Sequence, residues 1–282
     1  MLRTSGVCYL LREFFLRRKN LILCYHNPNA KAFRSHLKYL VKRYNIIPLD
    51  TLVTAIQRGD WSILPEKSLV LTIDDGFKEN YQLLQVIQEF CIPITIYLCS
   101  HIMNTNRQFW WQSGPINHHK LKLCSNQERL SILKQRVNYE PEKEYEERQA
   151  LNFQEIKEME EFIDFEAHSS FHPILTQCDD KECLKEIQGA KTFLENTLNK
   201  NITHFAYPNG NYGDREEDYL MKSGYRSSVT MDDGWNDVHS NLFSLKRIWI
   251  SDSASVFELA GRISGVWGYL GKFKKTFFSS QR

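Results

Sequence analysis

The chain contains no Cys-x-x-Cys pair, the spacing on which many structural zinc sites are built. Its seven cysteines, Cys8, Cys24, Cys91, Cys99, Cys124, Cys178 and Cys183, are odd in number, and several sit in apolar runs. That argues against a disulfide framework and for buried free thiols in a reducing compartment. Cys178 and Cys183 flank Asp179-Asp180-Lys181-Glu182, at a spacing that matches no zinc pattern. No apolar run approaches the roughly 20 residues of a membrane span. A signal peptide is not expected either, because the apolar run at 7–11 is short and Arg12-Glu13 interrupts it. These absences favour a cytoplasmic location. Charge of one sign is also lacking: 36 Lys and Arg face 34 Asp and Glu, for a formal net charge of +2. A near-neutral chain is a poor candidate for a dedicated nucleic-acid binder. No internal repeat or low-complexity tract is visible.

What is present is an ordinary globular composition over 282 residues, enough for one large barrel or two small domains. Seven segments read as strands, at 21–26, 68–74, 94–99, 162–168, 203–208, 227–231 and 245–250. Most are nearly continuous in apolar residues, as parallel strands buried on both faces are. Between them, 33–43, 80–90, 153–161, 180–198 and 215–223 show helical periodicity. Strand-helix alternation predicts an α/β fold with a parallel sheet or barrel. The stretch 104–150 is different, rich in charge and amide with few long apolar faces. It is expected to be a helical insertion on a barrel spanning 21–260. Phe109-Trp110-Trp111 near its start either packs the insertion down or offers a stacking platform for a sugar.

The charge is unevenly placed. Residues 1–20 carry five Arg or Lys against one Glu, and 261–282 carry five with no acid, which leaves 21–260 at −7. Both ends alternate aromatic or aliphatic residues with basic ones. They read as a basic amphipathic N-terminal segment, 1–20, and a basic aromatic tail, 261–282. Such ends suit peripheral contact with an anionic membrane surface, or capping of the barrel floor with the lysines in solvent.

His26, Asp74-Asp75, His168, Pro208-Asn209 and Asp232-Asp233 all lie at or just past the C-terminal end of a predicted strand. In α/β barrels that rim carries the chemistry. Two motifs dominate: Thr72-Ile73-Asp74-Asp75-Gly76 and His168-Ser169-Ser170-Phe171-His172. One carboxylate and two imidazoles make a three-ligand catalytic metal site with a position open for water. The second carboxylate is then free to act as a base. Taken singly, Asp-Asp-Gly could be a turn and the histidine pair could be structural. Their joint occurrence at strand ends carries the signal.

These residues resemble the polysaccharide deacetylase family, the superfamily of chitin deacetylases and nodulation deacetylases. The family's Thr-Phe-Asp-Asp-Gly motif is matched by residues 72–76, and its His-Ser/Thr-x-x-His motif by residues 168–172. Its aromatic-x-x-Pro segment is matched by Phe205-Ala206-Tyr207-Pro208, followed by Asn209-Gly210. The resemblance runs from about residue 21 to 250 and is strongest to the branch with a Tyr-His first strand, here Tyr25-His26, as in poly-N-acetylglucosamine deacetylases. It implies a distorted seven-stranded (β/α) barrel and hydrolysis of an acetamide on an amino sugar in an acetylated glycan, free or lipid-linked. It implies a divalent metal, usually zinc, on Asp75, His168 and His172, although such a ligand set also suits iron, cobalt or nickel. Asp74 would be the general base, His26 the general acid, and the Asn209 N–H an oxyanion donor. Tyr207, Pro208, Asp233 and Trp235 would line the sugar site.

The chain departs from the family pattern in three places. Ile73 stands for Phe, an apolar exchange. Ala206 stands where many members have an arginine that orients the base, so Asp74 needs another partner, for which Arg247 is a candidate. The late Leu-x-His motif that supplies the acid in many relatives is missing, and His239 is a poor match, which is why the role falls to His26. A lone histidine after a strand is otherwise often structural. Asp232-Asp233-Gly234 could equally be a plain turn, and His118, His119 and His204 read as surface residues. The alternatives to an N-deacetylase are a carbohydrate O-acetyl esterase on the same site and a silent glycan-binding module.

Overall fold

The structure, a computed structural model, describes residues 19–264. The expected amphipathic ends fall outside the described residues, except for 19–20 and 261–264. The strands are β1 (Leu21–Tyr25), β2 (Asn45–Ile46), β3 (Ser68–Ile73), β4 (Ile94–Leu98), β5 (Ile163–Ala167), β6 (His204–Ala206), β7 (Ser227–Val229) and β8 (Ile248–Trp249). Seven of them run side by side in the order β7-β6-β5-β4-β3-β1-β8, every pairing parallel. The two-residue β2 adds only to β3. The sheet curls on itself because one segment touches both of its ends. Leu245 bridges Val229 of β7, and Ile248 and Trp249 pair with Leu23 and Cys24 of β1. All seven strands that build the curl fall within the seven segments expected to be strands.

The central strands are buried on both faces, which is why their sequences do not alternate. Leu21, Leu23 and Tyr25 of β1 pack with helix residues such as Phe33 and Leu37 in the larger core cluster. Ile22, Val70, Tyr97, Ala206 and Val229 belong to a second cluster on the other face of the sheet. Each such aliphatic side chain removed from water stabilises the fold by about 1.5–3 kcal/mol.

The helices are α1 (Ala30–Leu40), α2 (Leu49–Arg58), α3 (Leu84–Phe90), α4 (His118–Leu121), α5 (Asn126–Val137), α6 (Phe153–Met159), α7 (Asp180–Leu198), α8 (Asp214–Lys222) and α9 (Val256–Ile263). Helix α7 starts where Asp179 accepts the Glu182 N–H at 2.8 Å, and stops at Asn199, which is left-handed. Helix α2 was not among the expected helices. It supplies Leu49, Leu52, Val53 and Ile56 to the second cluster and so plugs the barrel near the starts of β6 and β7, where Arg226 reaches Gln57 at 2.7 Å. The stretch 104–150 holds α4 and α5 around a small core of Trp110, Leu121, Leu133 and Tyr139. Its end returns beside the Asp-Asp-Gly turn: Leu151 N–H donates to Gly76 O at 2.9 Å, and Phe77 bridges Ala150. That return sets the insertion against the C-terminal rim of the barrel.

Candidate metal centre

Asp74 follows β3 directly, and next to it Asp75 has a left-handed backbone at φ 71°. Gly76 continues the turn at φ 67°, where a Cβ would meet Leu98 Cδ2 at 2.5 Å. Only glycine fits there. His168 follows β5 and is pinned by its own N–H to Leu98 O at 2.9 Å. Ser169 and His172 are also left-handed, at φ 64° and 58°. Such conformations in non-glycine residues cost on the order of 1 kcal/mol or more each, and they cluster where a chain aims side chains for a purpose.

The result is a convergence of three donors. His168 Nε2 and His172 Nε2 face the same oxygen, Asp75 Oδ1, at 3.4 and 3.3 Å. All three are buried, and that oxygen makes no hydrogen bond. His168 Nδ1 donates to Ala206 O at 2.8 Å, so the neutral ring presents a bare Nε2 to the cluster. Burial holds His172 down to about 3, with the His168 charge adding to the effect, so this imidazole is neutral at physiological pH. Burial also opposes charging of His168, but Asp75 and Asp74 outweigh it and hold its pKa above the ordinary value. Burial raises Asp75, yet His168 and His172 bring it below the usual carboxylate range. Three electron-pair donors within 4.8 Å of one another, one with an orphaned buried oxygen, match the donor set of a divalent cation. The residues present therefore fit the metal that the resemblance implies.

Asp74 sits beside this cluster and is held by Arg247 in a fork, Nη1 to Oδ1 and Nη2 to Oδ2, each 2.7 Å. Arg247 is fully buried, and its Nε donates to Thr230 O at 2.8 Å. The Cys24 thiol lies 3.5 Å from Asp74 Oδ2. Burial pushes the Asp74 pKa up, but the Arg247 charge and its hydrogen bonds dominate and hold it well below the usual range. An arginine thus reaches Asp74 from the segment that closes the sheet and not from position 206.

A cleft of about 390 Å³ opens over these groups. His26 lines it, with its backbone N–H turned to Asp252 Oδ1 and its carbonyl accepting from Asn80 Nδ2 at 3.0 Å. A ring nitrogen of His26 lies within 4.8 Å of the Asp74 carboxylate. Asn209 is on the cleft in a left-handed turn at φ 58°, and Gly210 beside it packs so tightly on Met231 that a Cβ would come within 2.5 Å. Tyr207 also lines the cleft but is buried, with its hydroxyl donated to Phe243 O at 3.0 Å. Pro208 is buried in the same turn.

Two expected sugar contacts lie elsewhere. Trp235 is at the other end of the barrel, in a hollow with Leu21 and Ser68, because Asn236 bridges Asn20 ahead of β1. Asp233 is exposed, and its nearest cation is Arg262 of α9 at 3.9 Å. His204 is no surface residue: it is buried on β6, with Nδ1 against Ser227 Oγ at 2.8 Å. His118 and His119 belong to the cleft wall, with Lys122, Trp110 and Trp111. The Trp111 ring packs against the His172 ring at a tilt of 58° with centroids 4.2 Å apart, and Trp110 Nε1 donates to His172 O at 3.0 Å, so both tryptophans brace the loop that carries His172.

Glu186 of α7 was not anticipated. Its Oε2 accepts the Ser170 and Phe171 N–H groups, each at 2.9 Å, and so holds the loop between the two histidines. Burial outweighs those donors and pushes its pKa up to about 7. A lone Glu on a helix face gives no sequence signal for this.

The polysaccharide deacetylase family model matches residues 62–228, which contain Asp74, Asp75, His168, His172 and Asn209 but neither His26 nor Arg247. YxkH of Bacillus subtilis strain 168, a protein named for that family, is 22% identical over 246 residues, covering 83% of this chain and 72% of YxkH. Among solved structures, the deacetylase PplD of Streptococcus pyogenes, in complex with acetate, superposes with a TM-score of 0.64 at 20% identity, over 86% of this chain and 96% of PplD. IcaB from Ammonifex degensii superposes with a TM-score of 0.63 at 16% identity, over 88% and 97%. At such identities these structural likenesses concern the fold.

Proposed function

The chain belongs to the polysaccharide deacetylase family, a family of hydrolases acting on N-acetyl groups of carbohydrates, and from that premise we propose that it is a metal-dependent N-deacetylase of an amino sugar in a glycan. The observation that carries the metal dependence is the orphaned Asp75 Oδ1 facing two imidazole nitrogens in a buried pocket. Asp75, His168 and His172 would hold the ion, with zinc the first candidate, and its chemistry there would be to lower the pKa of a water towards about 7 and to polarise the acetamide carbonyl.

The remaining work falls to the chain's own groups. Asp74 takes the proton of the attacking water, and the Arg247 fork keeps that carboxylate ionised and aimed. The amine leaves poorly as an anion and needs a proton, which His26, lining the same cleft, delivers. The backbone N–H of Asn209 meets the negative charge that develops on the carbonyl oxygen. Tyr207 and Pro208 shape the floor beneath that turn.

The test is acetate release from a panel of N-acetylated oligosaccharides and lipid-linked sugars, with zinc or cobalt supplied. The wild type is expected to release acetate. Asp74→Asn should lose about 10²–10⁴ in kcat, the usual contribution of a positioned base, while still binding metal. Metal bound without acetate from any amide would overturn the N-deacetylase reading.

A further inference from the structure

The outer wall of the cleft has a composition that the deacetylation chemistry leaves unused. It is built by the insertion and presents His118, His119 and Lys122 beside Trp110 and Trp111. No carboxylate lines the cleft apart from Asp74 and Asp75, and each of these is already faced by partners, Asp74 by Arg247 and Asp75 by the two histidines. Lys122 makes no ion pair or hydrogen bond through its ammonium among the described residues. The His118 Nε2 is buried and has no hydrogen-bond partner. Three other cations of the insertion do meet carboxylates: Lys134 pairs with Glu140, Arg107 with Glu144 and Arg148 with Glu155. An unpaired lysine flanked by two imidazoles, on the wall of a cleft without free carboxylates, creates a local positive potential at the substrate's entrance.

From this arrangement we infer that the cleft takes a phosphate-bearing acetamido sugar, with Lys122 as the cation and the His118 and His119 rings as added donors. The inference rests on the deacetylase reading of the same cleft and names its substrate class. Phosphate is an anion that a lysine binds as a point charge, with no need of a guanidinium fork, and no arginine lines this wall. The phosphate could stand at the anomeric carbon, as in a sugar carried on a lipid diphosphate, or elsewhere on the ring, as in a phosphate-substituted polymer. Trp111, the half-buried one of the two tryptophans on this wall, offers apolar surface to the sugar.

Binding is measured by tryptophan fluorescence, which does not depend on turnover, and acetate release is followed in parallel on the zinc-loaded protein. The probes are N-acetylglucosamine, its 1-phosphate and its 6-phosphate. At least one phosphorylated sugar is expected to bind about tenfold more tightly than the neutral one, a difference that added salt reduces. Lys122→Ala should erase most of that preference, and Lys122→Arg should keep it, which separates loss of charge from loss of fold. Preference for the 1-phosphate assigns the anomeric position; preference for the 6-phosphate assigns the ring substituent. Equal binding of all three sugars, or a preference that survives Lys122→Ala, overturns the inference. Acetate released equally from neutral and phosphorylated sugars would do the same and leave the deacetylase intact. Absence of acetate from every sugar would instead count against the deacetylase reading, while the fluorescence titrations still decide the phosphate site.

Discussion

Replacing Arg247 by Met would leave Asp74 as an uncompensated charge inside the barrel. Removing one partner of a buried, hydrogen-bonded ion pair costs about 3–5 kcal/mol. The pair is fully buried, so solvent does little to screen the loss. The sign with pH follows from the depressed Asp74 pKa. The stability it contributes is complete above the ordinary carboxylate range, near 3.9, and fades as pH falls through the lower native value. In Arg247→Met that contribution vanishes, Asp74 titrates higher, and the acid limb of kcat/KM moves to higher pH. Arg247→Lys retains charge but not the fork and should fall between. Urea melts and pH–rate profiles of the three proteins check this; an acid limb that stays in place in Arg247→Met would refute Arg247 as the positioning residue for the base. At this scale the sequence was legible for residues that sit in contiguous motifs, such as Asp74, Asp75, His168 and His172. Arg247 was legible only by elimination, since Ala206 left the base without its usual partner. Glu186 and the wall histidines were not, because their roles depend on contacts between distant segments.

Elements were legible in proportion to their apolar content. The seven strand runs and α7 match the structure closely, because burial on both faces, or a long periodic stripe, writes itself into the sequence. Helix α2 carries apolar residues at helical spacing and a left-handed Gly59 at its end, so its signal was present although it was passed over. The course of 230–236 was not readable. It runs from Met231 at the cleft to Asn236 beside Asn20, and the bridge that fixes this is long-range, so Trp235 was expected at the wrong end. The loop 168–172 is an element whose shape depends on α7, through the two hydrogen bonds to Glu186. Raising the native pKa of an acid from about 4.5 to about 7 means that the folded protein holds a proton the unfolded chain has released. Stability from this group therefore falls as pH rises across that window, by at most about 3 kcal/mol. Glu186→Gln keeps an acceptor for the loop and cannot ionise. Relative to wild type, the variant should gain stability between pH 5 and 8 in urea titrations with chelator present. Parallel profiles for the two proteins would remove Glu186 as the titrating support of the loop.

For the whole molecule, closure of the sheet and assembly of the site are one event. The segment that joins β7 to β1 carries Arg247, and the turns after β3 and β5 carry the three candidate metal donors. Folding therefore gathers an anionic oxygen and two imidazole nitrogens at 3.3–3.4 Å with no proton donor assigned between them, which is an electrostatic cost borne by the metal-free protein. A cation that binds only the folded state offsets that cost through mass action, by about 2.7 kcal/mol at one hundred times its dissociation constant. For a chain of this size that corresponds to a rise in Tm of about 5 °C. The expectation divides cleanly between the adjacent aspartates. Asp75→Asn should lose the zinc-induced shift. Asp74→Asn should keep the shift and lose activity. Thermal melts with chelator and with added zinc distinguish the two. If Asp75→Asn responded to zinc as fully as wild type, the ion would have to be held elsewhere, and the roles given to His168 and His172 would fall with it.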